Sequence, residues 1–320
     1  MTLMPMAGAV VKRLGAAVVT ALVSSIGIFL LIRALPGDVV GEMLGQSAGD
    51  PQAEAALRAF FGLDRPLWQQ YFAWLADTVR GDLGTSWRQG LPVARIVGDA
   101  FAVTVQIGLC TLVFSLLIGV PLGLAAGAKP GHWADLFVEA FSLIGLSAPV
   151  FWTGMVLLIV AGGFLQWSPP PVYVGPTDSL ADNLESIALP VLALGFLQAA
   201  AYAQFTRQQT VALLGQDFIR AAIARGLPKR VVFGRHVLRN VAIPLVTFAG
   251  VILVQILGGV VVVETLFAIP GLGRTLLSAI QARDYPVLQG ALLLTVLVSL
   301  FVNLMVDLAY AAIDPRVRGA

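Results

Sequence analysis

The sequence predicts an all-α polytopic membrane protein with six transmembrane helices and both termini on the cytoplasmic side (N-in and C-in). Three observations lead to this fold class. Hydrophobic residues make up 58% of the chain and charged residues only 12%, whereas soluble domains carry about 25% charged residues. Six long apolar runs follow one another along the chain. Lys and Arg are concentrated in the segments that this topology places inside the cell.

Each apolar run is long enough to cross the roughly 30 Å hydrocarbon core of a bilayer. The first run follows Lys12 and Arg13 and is too long for a typical secretory signal, so we interpret it as a retained helix. The predicted spans are residues 14–32, 101–128, 137–165, 187–205, 241–263 and 287–312.

The distribution of positive charge sets the orientation of these spans. With the N-terminus inside, cytoplasmic segments hold twelve of the 20 Lys and Arg residues, and the two short external loops hold only Arg274 and Arg283. Because loops rich in Lys and Arg remain in the cytoplasm, this asymmetry favours the N-in and C-in topology.

The spans divide the chain into three predicted regions. Residues 1–33 form the N-terminus and first transmembrane helix, and residues 34–98 form an external segment with helical patterns at 51–61 and 66–80. Trp68, Tyr71 and Trp74 recur every three residues there, which predicts an aromatic stripe at the membrane interface or against the bundle. Residues 99–316 form a transmembrane core, in which residues 213–239 are a basic cytoplasmic segment.

The connection between the fourth and fifth spans carries a short amphipathic pattern. Its apolar residues Phe218, Ile219, Ala222 and Ile223 fall at helical spacing. Gly226 can take the left-handed conformation that ends a helix, and the proline two residues later stops it from continuing. A helix of about ten residues cannot cross a bilayer. It therefore lies on the membrane surface or docks into a partner.

This connection resembles the cytoplasmic signature of the membrane-spanning subunits of bacterial ABC importers. The matching residues are Ala221, Ala222 and Gly226, followed by the pair Ile243 and Pro244. The spacing, with the sequence RHVLRN at 235–240, is similar to the dipeptide, oligopeptide and nickel branch, and so are residues 81–93, 261–290 and 314–316. One departure is Arg220, because the family often has an acidic residue before the Ala pair, and the nearest acid here is Asp217.

The resemblance implies a type I ABC importer (MetI-like) permease fold and a B-type subunit in the bacterial cytoplasmic (inner) membrane. Such a subunit forms half of a translocation pathway for peptides. Its implied partners are a second, C-type permease subunit, two P-loop ATPase subunits that use ATP and Mg, and an external solute-binding protein. The implied ATPase-coupling residues are Asp217, Phe218, Ile219, Arg220, Ala221, Ala222, Ile223, Ala224, Arg225 and Gly226.

The residues themselves argue against catalysis by this chain. It has no Gly-x-x-x-x-Gly-Lys-Ser/Thr sequence that could cradle ATP phosphates. His132 and His236 are its two histidines, and neither belongs to a metal-binding motif. We therefore predict no enzyme activity, no bound cofactor or metal, and no nucleic-acid partner, with peptide and membrane lipid as the contacts beyond the protein subunits.

Three alternatives stay open on the sequence. The same class of transporter could carry nickel chelates or another small solute. An ion-coupled secondary transporter is disfavoured because Glu139, Glu264 and Asp307 lie near predicted helix ends rather than deep in the spans. The basic connection could also be an ordinary positive-inside loop with an incidental surface helix.

Two further hypotheses concern the path of the solute. Gln106, Gln198, Thr247 and Gln255 are polar residues within predicted spans and are candidates to line the translocation path, or else to join helices by hydrogen bonds. Residues 38–98 and 264–285 are expected to form the external docking surface for the binding protein. At the coupling helix, we expect Ala222→Glu to spare membrane insertion and to impair ATPase association.

Overall fold

The computed structural model describes residues 4–34, 51–60 and 62–313, and within these ranges the chain is helical and contains no β-strand. The N-terminal helices are α1 (Met4–Ala34), α2 (Pro51–Phe60), α3 (Leu67–Val79), α4 (Val93–Ala128), α5 (Trp133–Ser147) and α6 (Val150–Ile159). The C-terminal helices are α7 (Leu180–Leu214), α8 (Asp217–Ala224), α9 (Lys229–Val231), α10 (Leu238–Leu266), α11 (Leu272–Gln281) and α12 (Tyr285–Ile313). Short π-helical segments extend α6 over Val160–Phe164 and join α9 to α10 over Val232–Val237.

Five helices in the described residues are long and apolar enough to cross a membrane, and a bent pair could supply a sixth span. The five are Lys12–Ala34, Val93–Ala128, Leu180–Leu214, Val232–Leu266 and Tyr285–Val306. The predicted spans therefore occur, and most extend beyond their apolar runs because polar residues continue the helices past the hydrophobic stretch.

The prediction of one continuous third span over 137–165 is wrong in its geometry. The structure breaks it into α5 and α6, whose axes differ by 104°. Ala148 is extended, with ψ of 123°, and Pro149 follows it at φ of −63°. A proline disfavours the helical conformation of the residue before it, so the break lies where the sequence places Pro149.

The described residues form two compact units, which we consider separately. The core unit contains residues 102–274 together with 4–12 and 301–313. Its central helix is α7, which packs against α5, α6 and α10. In an apolar 18-residue stretch of α7, 72% of the residues are buried, compared with 33% or fewer in the corresponding stretches of the other four spans. Several polar residues of α7, among them Asn183, Ser186 and Gln198, are therefore interior residues of this chain.

Within the core unit, glycines let α4 approach α7 closely. Gly119, Gly123 and Gly127 form one stripe on α4. A Cβ atom at Gly119 would lie 2.5 Å from the carbonyl oxygen of Ala199, and one at Gly123 would lie 2.4 Å from that of Ala203. Small residues at spacing of four allow such backbone contact between membrane helices. Larger side chains at these glycines would push the two helices apart.

The described residues of the flanking unit are 13–34, 51–60, 62–101 and 275–300. The helices predicted over 51–61 and 66–80 are present as α2 and α3. The predicted aromatic stripe divides: Tyr71 and Trp74 pack on Phe29 of α1 with ring centroids 5.5 and 6.1 Å away, whereas Trp68 is 62% exposed. Tyr71 also shares a hydrogen bond of 2.9 Å with Ser25. The stripe thus fixes α3 to α1.

Candidate functional site

The predicted cytoplasmic helix is present as α8, and its end has the geometry that the sequence indicated. Gly226 has φ of +82°, in the left-handed region. Its N–H donates to the carbonyl of Ile223 at 2.9 Å, and the N–H of Leu227 donates to that of Ala222 at 3.3 Å. These two bonds form a Schellman motif, which pairs carbonyls that a helix end otherwise leaves unsatisfied. The chain then leaves α8 in a fixed direction.

The apolar residues of α8 share one stripe but differ in burial. Ile219 and Ala222 are 0% and 1% exposed and belong to the core cluster that includes Val232 and Val237. Phe218 and Ile223 are 41% and 53% exposed. The first pair anchors α8 to its own chain, and the second pair, with exposed Ala221 and Ala224 between them, remains accessible.

The burial of Ala222 changes its predicted role. The family resemblance placed Ala221 and Ala222 together among the ATPase-coupling residues. In the structure only Ala221 is exposed, and Ala222 is enclosed by the core of its own chain. A charge at Ala222 would therefore disturb the seating of α8 as well as any external contact.

Positive charge surrounds the exposed side of α8. The exposed cations along α8 and the helices after it are Arg220, Arg225, Arg230, Arg235 and Arg239. Arg220 lies 3.7 Å from the carboxylate of Asp217, and both side chains are largely exposed, so this ion pair adds little stability. The exposed part of α8 and of the helices after it therefore combines two apolar side chains, Phe218 and Ile223, with several cations.

Arg207, a cation on α7 that precedes this connection, forms ion pairs with acidic residues of α5. Its Nε and Nη2 donate to the two carboxylate oxygens of Asp135, and Nη2 also donates to Glu139 at 2.8 Å. The carboxylate of Asp135 is buried and also accepts the N–H of Gly131 at 2.8 Å. Arg207 therefore ties the C-terminal part of α7 to the start of α5.

The four candidate path residues do not form one cluster. Gln106 accepts a hydrogen bond of 2.7 Å from the Tyr173 hydroxyl and donates to Asn183, which is fully buried. Thr247 is half-buried and Gln255 is exposed. Within the described ranges, no hydrogen bond joins any two of Gln106, Gln198, Thr247 and Gln255. The contacts of Gln106 connect α4, α7 and the loop before α7.

Tyr173 lies in that loop, outside the spans. Burial raises the pKa of its phenol above the usual value, the nearby Asp178 carboxylate raises it further, and the hydrogen bond from Asn183 opposes the rise. The phenol therefore stays protonated at neutral pH and remains a donor to Gln106.

Gln198 begins a buried polar stripe that the sequence reading did not identify. Gln198, Tyr202 and Thr206 recur every four residues on α7 and are 3%, 0% and 0% exposed. In the described part of the chain, the Oε1 atom of Gln198 and the hydroxyl oxygens of the other two have no hydrogen-bond partner. The four-residue spacing was the available signal, because side chains at that spacing share one helix face.

A second missed group is the corner between α10 and α11. The sequence placed Glu264 near a helix end, but the structure buries it completely. Its carboxylate accepts hydrogen bonds from the Thr104 hydroxyl at 2.5 Å and the Gly273 N–H at 2.7 Å. It also accepts the Arg274 N–H at 3.1 Å. A carboxylate here satisfies free N–H groups at the N-terminus of α11 and complements the helix dipole.

Chemically, the described residues offer surfaces and helix contacts rather than a reaction centre. Residues 4–34, 51–60 and 62–313 contain no group of three or more His, Cys, Asp or Glu side chains placed to hold a metal ion. The buried ionisable contacts at Asp135 with Arg207 and at Glu264 connect one helix to another. The arrangement exposes α8 at a surface and connects the helices of the core unit to one another.

Comparison with known proteins places this architecture in a family. Residues 119–319 match the family described as binding-protein-dependent transport system inner membrane component, and residues 6–108 match the corresponding N-terminal family. The dipeptide transport system permease protein DppB of Escherichia coli K12 is 34% identical over 334 residues, covering 97% of this chain and 98% of the relative.

Two other relatives agree over similar lengths. The glutathione transport system permease protein GsiC of Escherichia coli O6:H1 is 37% identical over 309 residues, and the probable peptide ABC transporter permease protein y4tP of Sinorhizobium fredii is 34% identical over 309 residues. In both cases the match covers 97% of this chain and 98% of the relative. The chain therefore belongs to the family of inner-membrane components of binding-protein-dependent transport systems.

Proposed function

We propose that this chain forms half of the translocation pathway of an ABC importer for peptides, and that α8 transmits ATP-driven movement to it. The observation that carries the proposal is the difference in burial along the apolar stripe of α8. Ile219 and Ala222 fix the helix in the core, while Phe218 and Ile223 remain exposed beside the cations of this connection. A helix held in this way can be pushed by a partner without separating from the spans.

Peptides are the proposed solute because the relatives named above are dipeptide, peptide and glutathione transport permeases. The proposed assembly adds a C-type permease subunit, two P-loop ATPase subunits that bind ATP and Mg, and an external solute-binding protein. In this assembly both termini and α8 lie in the cytoplasm, residues 34–98 lie outside, and residues 99–316 form the permease core. The positive charge on the α8 connection supports that orientation.

The test is whether the exposed side of α8 is needed for assembly with the ATPases. The variant Phe218→Ser with Ile223→Ser removes apolar area from that side without touching the buried pair. We expect normal membrane insertion and loss of ATPase co-purification, with at least a tenfold fall in peptide uptake, because hot-spot contacts of this kind contribute about 2 kcal/mol or more.

Val79→Ser is the matched control, because Val79 is also an exposed apolar residue, at 80%, but lies at the end of α3. It should retain ATPase co-purification. Undiminished co-purification and uptake in the double variant would contradict the role of α8. Uptake of a nickel chelate in place of dipeptides by the unmodified transporter would contradict the proposed solute.

A further inference from the structure

The flanking unit contains a cavity of about 770 Å³, a volume within the range of small-molecule sites. Its walls come from the end of α1, from α3, from the loop before α4 and from the start of α12. These walls bring four charged side chains to one space: Arg33, Arg65, Asp77 and Asp82. The formal charges sum to zero, so the cavity is suited to a ligand that carries both signs.

The two arginines supply the positive charge of the cavity. Arg33 donates from Nε to the amide oxygen of Gln70 at 3.0 Å and lies over the ring of Phe29. Arg65 is exposed, and neither guanidinium forms an ion pair with an acidic residue that the structure describes. Guanidinium groups bind carboxylates in bidentate geometry. Both side chains can therefore meet an incoming carboxylate.

Gln289 adds a donor to the same cavity. Its side chain is 93% buried, because the residue is 7% exposed, and its Nε2 has no acceptor among the described residues. A buried donor without an acceptor costs free energy. This nitrogen is almost fully shielded from solvent, so a ligand carbonyl or carboxylate oxygen would satisfy it once the Gln289 amide turns toward the cavity. Gln289 and the arginines therefore indicate separately that the ligand carries a hydrogen-bond acceptor.

The two aspartates supply the opposite charge. Asp82 accepts the N–H of Gly84 at 2.8 Å and is not in an ion pair with any described cation. Asp77 lies 3.6 Å from Arg80, in a pair whose side chains are 57% and 77% exposed. Such an exposed pair is weak. Both carboxylates can therefore accept hydrogen bonds from a ligand ammonium group.

The aromatic wall of the cavity is held in place by a buried hydrogen-bond set. Asp284 accepts from the Ser86 hydroxyl at 2.5 Å and from the Trp87 N–H at 3.2 Å. The ring of Trp87 lies 5.8 Å from that of Tyr285, and Trp74 lines the cavity from α3. These contacts fix large apolar faces beside the charged groups. An apolar side chain of the ligand would pack there.

We propose that this cavity binds short zwitterionic peptides. The peptide carboxylate meets Arg33, Arg65 and Gln289, its ammonium group meets Asp77 or Asp82, and a side chain packs on the tryptophans. The proposal rests on the proposed function in one respect, which is that peptides are the solute. It assigns to the flanking unit a peptide site of its own, formed by one chain.

The experiment uses the full-length chain in its purified complex, in lipid nanodiscs, without added binding protein. The probe is the dipeptide alanyl-phenylalanine, with alanyl-benzoylphenylalanine as its photoreactive form. We expect photo-crosslinks to map to residues 59–89 and 285–289. Competition by N-acetylated, amidated alanyl-phenylalanine should be at least tenfold weaker than competition by the free dipeptide, because blocking removes both charges.

Two variants test the assigned contacts. Arg65→Gln and Gln289→Met should each weaken dipeptide binding about tenfold, the usual scale for one charge-assisted or buried hydrogen bond. Arg95→Gln is the matched control, since Arg95 is an exposed arginine of the same unit, 3.9 Å from Asp99 and outside the cavity. It should bind the dipeptide normally. Equal binding by Arg65→Gln, Gln289→Met and the control would overturn the site.

The outcomes separate this site from the proposed function. Crosslinks elsewhere, in a transporter that still imports the dipeptide, overturn the cavity site and leave peptide transport standing. Crosslinks in the cavity of a complex that imports no dipeptide support the site and contradict the transport role. If the binding protein, and not the dipeptide, protects an Arg65→Cys thiol from a water-borne reagent, the cavity is a protein-docking surface and the peptide site is overturned.

Discussion

The end of α8 and the end of α10 have the same backbone motif but are held in different ways. At α10, the N–H of Ala268 donates to the carbonyl of Thr265 and the N–H of Ile269 donates to that of Glu264, as in the Schellman motif at Gly226. The left-handed residue is Gly226 at the first end, with φ of +82°, and Ala268 at the second, with φ of +56°.

The difference lies in what surrounds each turn. Gly226 is exposed, with no atom of the rest of the chain within 4 Å of the position a Cβ would take. The α10 corner instead encloses the Glu264 carboxylate, and Arg274 donates to the carbonyl of Ala268. Alanine is strained in the left-handed region. Side-chain hydrogen bonds offset that strain at the buried corner, whereas the exposed end depends on glycine.

Close packing at the α10 corner explains why glycine occupies positions 271 and 273. A Cβ at Gly271 would lie 2.0 Å from Oε1 of Glu264, and a Cβ at Gly273 would lie 2.6 Å from the Val261 Cα. Both positions therefore exclude larger residues through close contact. At Gly226 the requirement is conformational, because space is available there. One kind of residue thus serves two physical purposes in the two turns.

The largest expected effect comes from removing the carboxylate at the buried corner. Glu264→Ala leaves the Gly273 and Arg274 N–H groups without their acceptor and opens a cavity, so we expect a loss of about 3 kcal/mol or more in stability. Thermal unfolding of the detergent-solubilised chain measures it. Glu264→Gln keeps the side-chain volume and some of the hydrogen bonds, so it should lose less stability than the alanine variant. Equal stability of the alanine variant and the unmodified chain would show that the corner is held by other contacts.

A comparable effect is expected at α8, where one of two adjacent alanines is exposed and the other is buried. Ala222→Glu places an unpaired charge in the core and should destabilise the chain by several kcal/mol. Ala221→Glu places it at the surface, so we expect a change within about 0.5 kcal/mol together with weaker ATPase association. Limited proteolysis of the α8 connection and co-purification measure the two properties. Similar proteolysis of both variants would contradict the assigned orientation of α8.

The smallest effects are expected from exchanging residues between the two left-handed positions. Gly226→Val should cost about 1–2 kcal/mol, because a β-branched residue is strained there, and Gly226→Asn should cost less. Ala268→Gly should change stability by under about 1 kcal/mol, because relief of strain is opposed by the greater freedom of glycine in the unfolded chain. Melting temperatures provide the comparison. A larger loss at Ala268→Gly than at Gly226→Val would reverse our account of the two turns.

Some features could be predicted because their signal is local in the chain. Each of these features depends on residues a few positions apart: the apolar runs, the basic connection, helices α2 and α3, and the glycine end of α8. The break at Pro149 could also have been predicted, because proline disfavours a helical conformation of the residue before it. The prediction missed it because the sequence stays apolar on both sides of Pro149. Periodicity identified the apolar residues of α8, Phe218, Ile219, Ala222 and Ile223, without indicating which of them face the core.

By itself, the sequence determined the membrane class, the order of the spans and the position of α8, because hydrophobicity and turn chemistry act over short distances. Only the tertiary structure decided that Ile219 and Ala222 face inward. It also decided that Glu264 caps α11 and that Ser86 meets Asp284, 198 residues away. Such contacts depend on which helices become neighbours. That choice is made by the packing of whole surfaces, so no short stretch of residues specifies it.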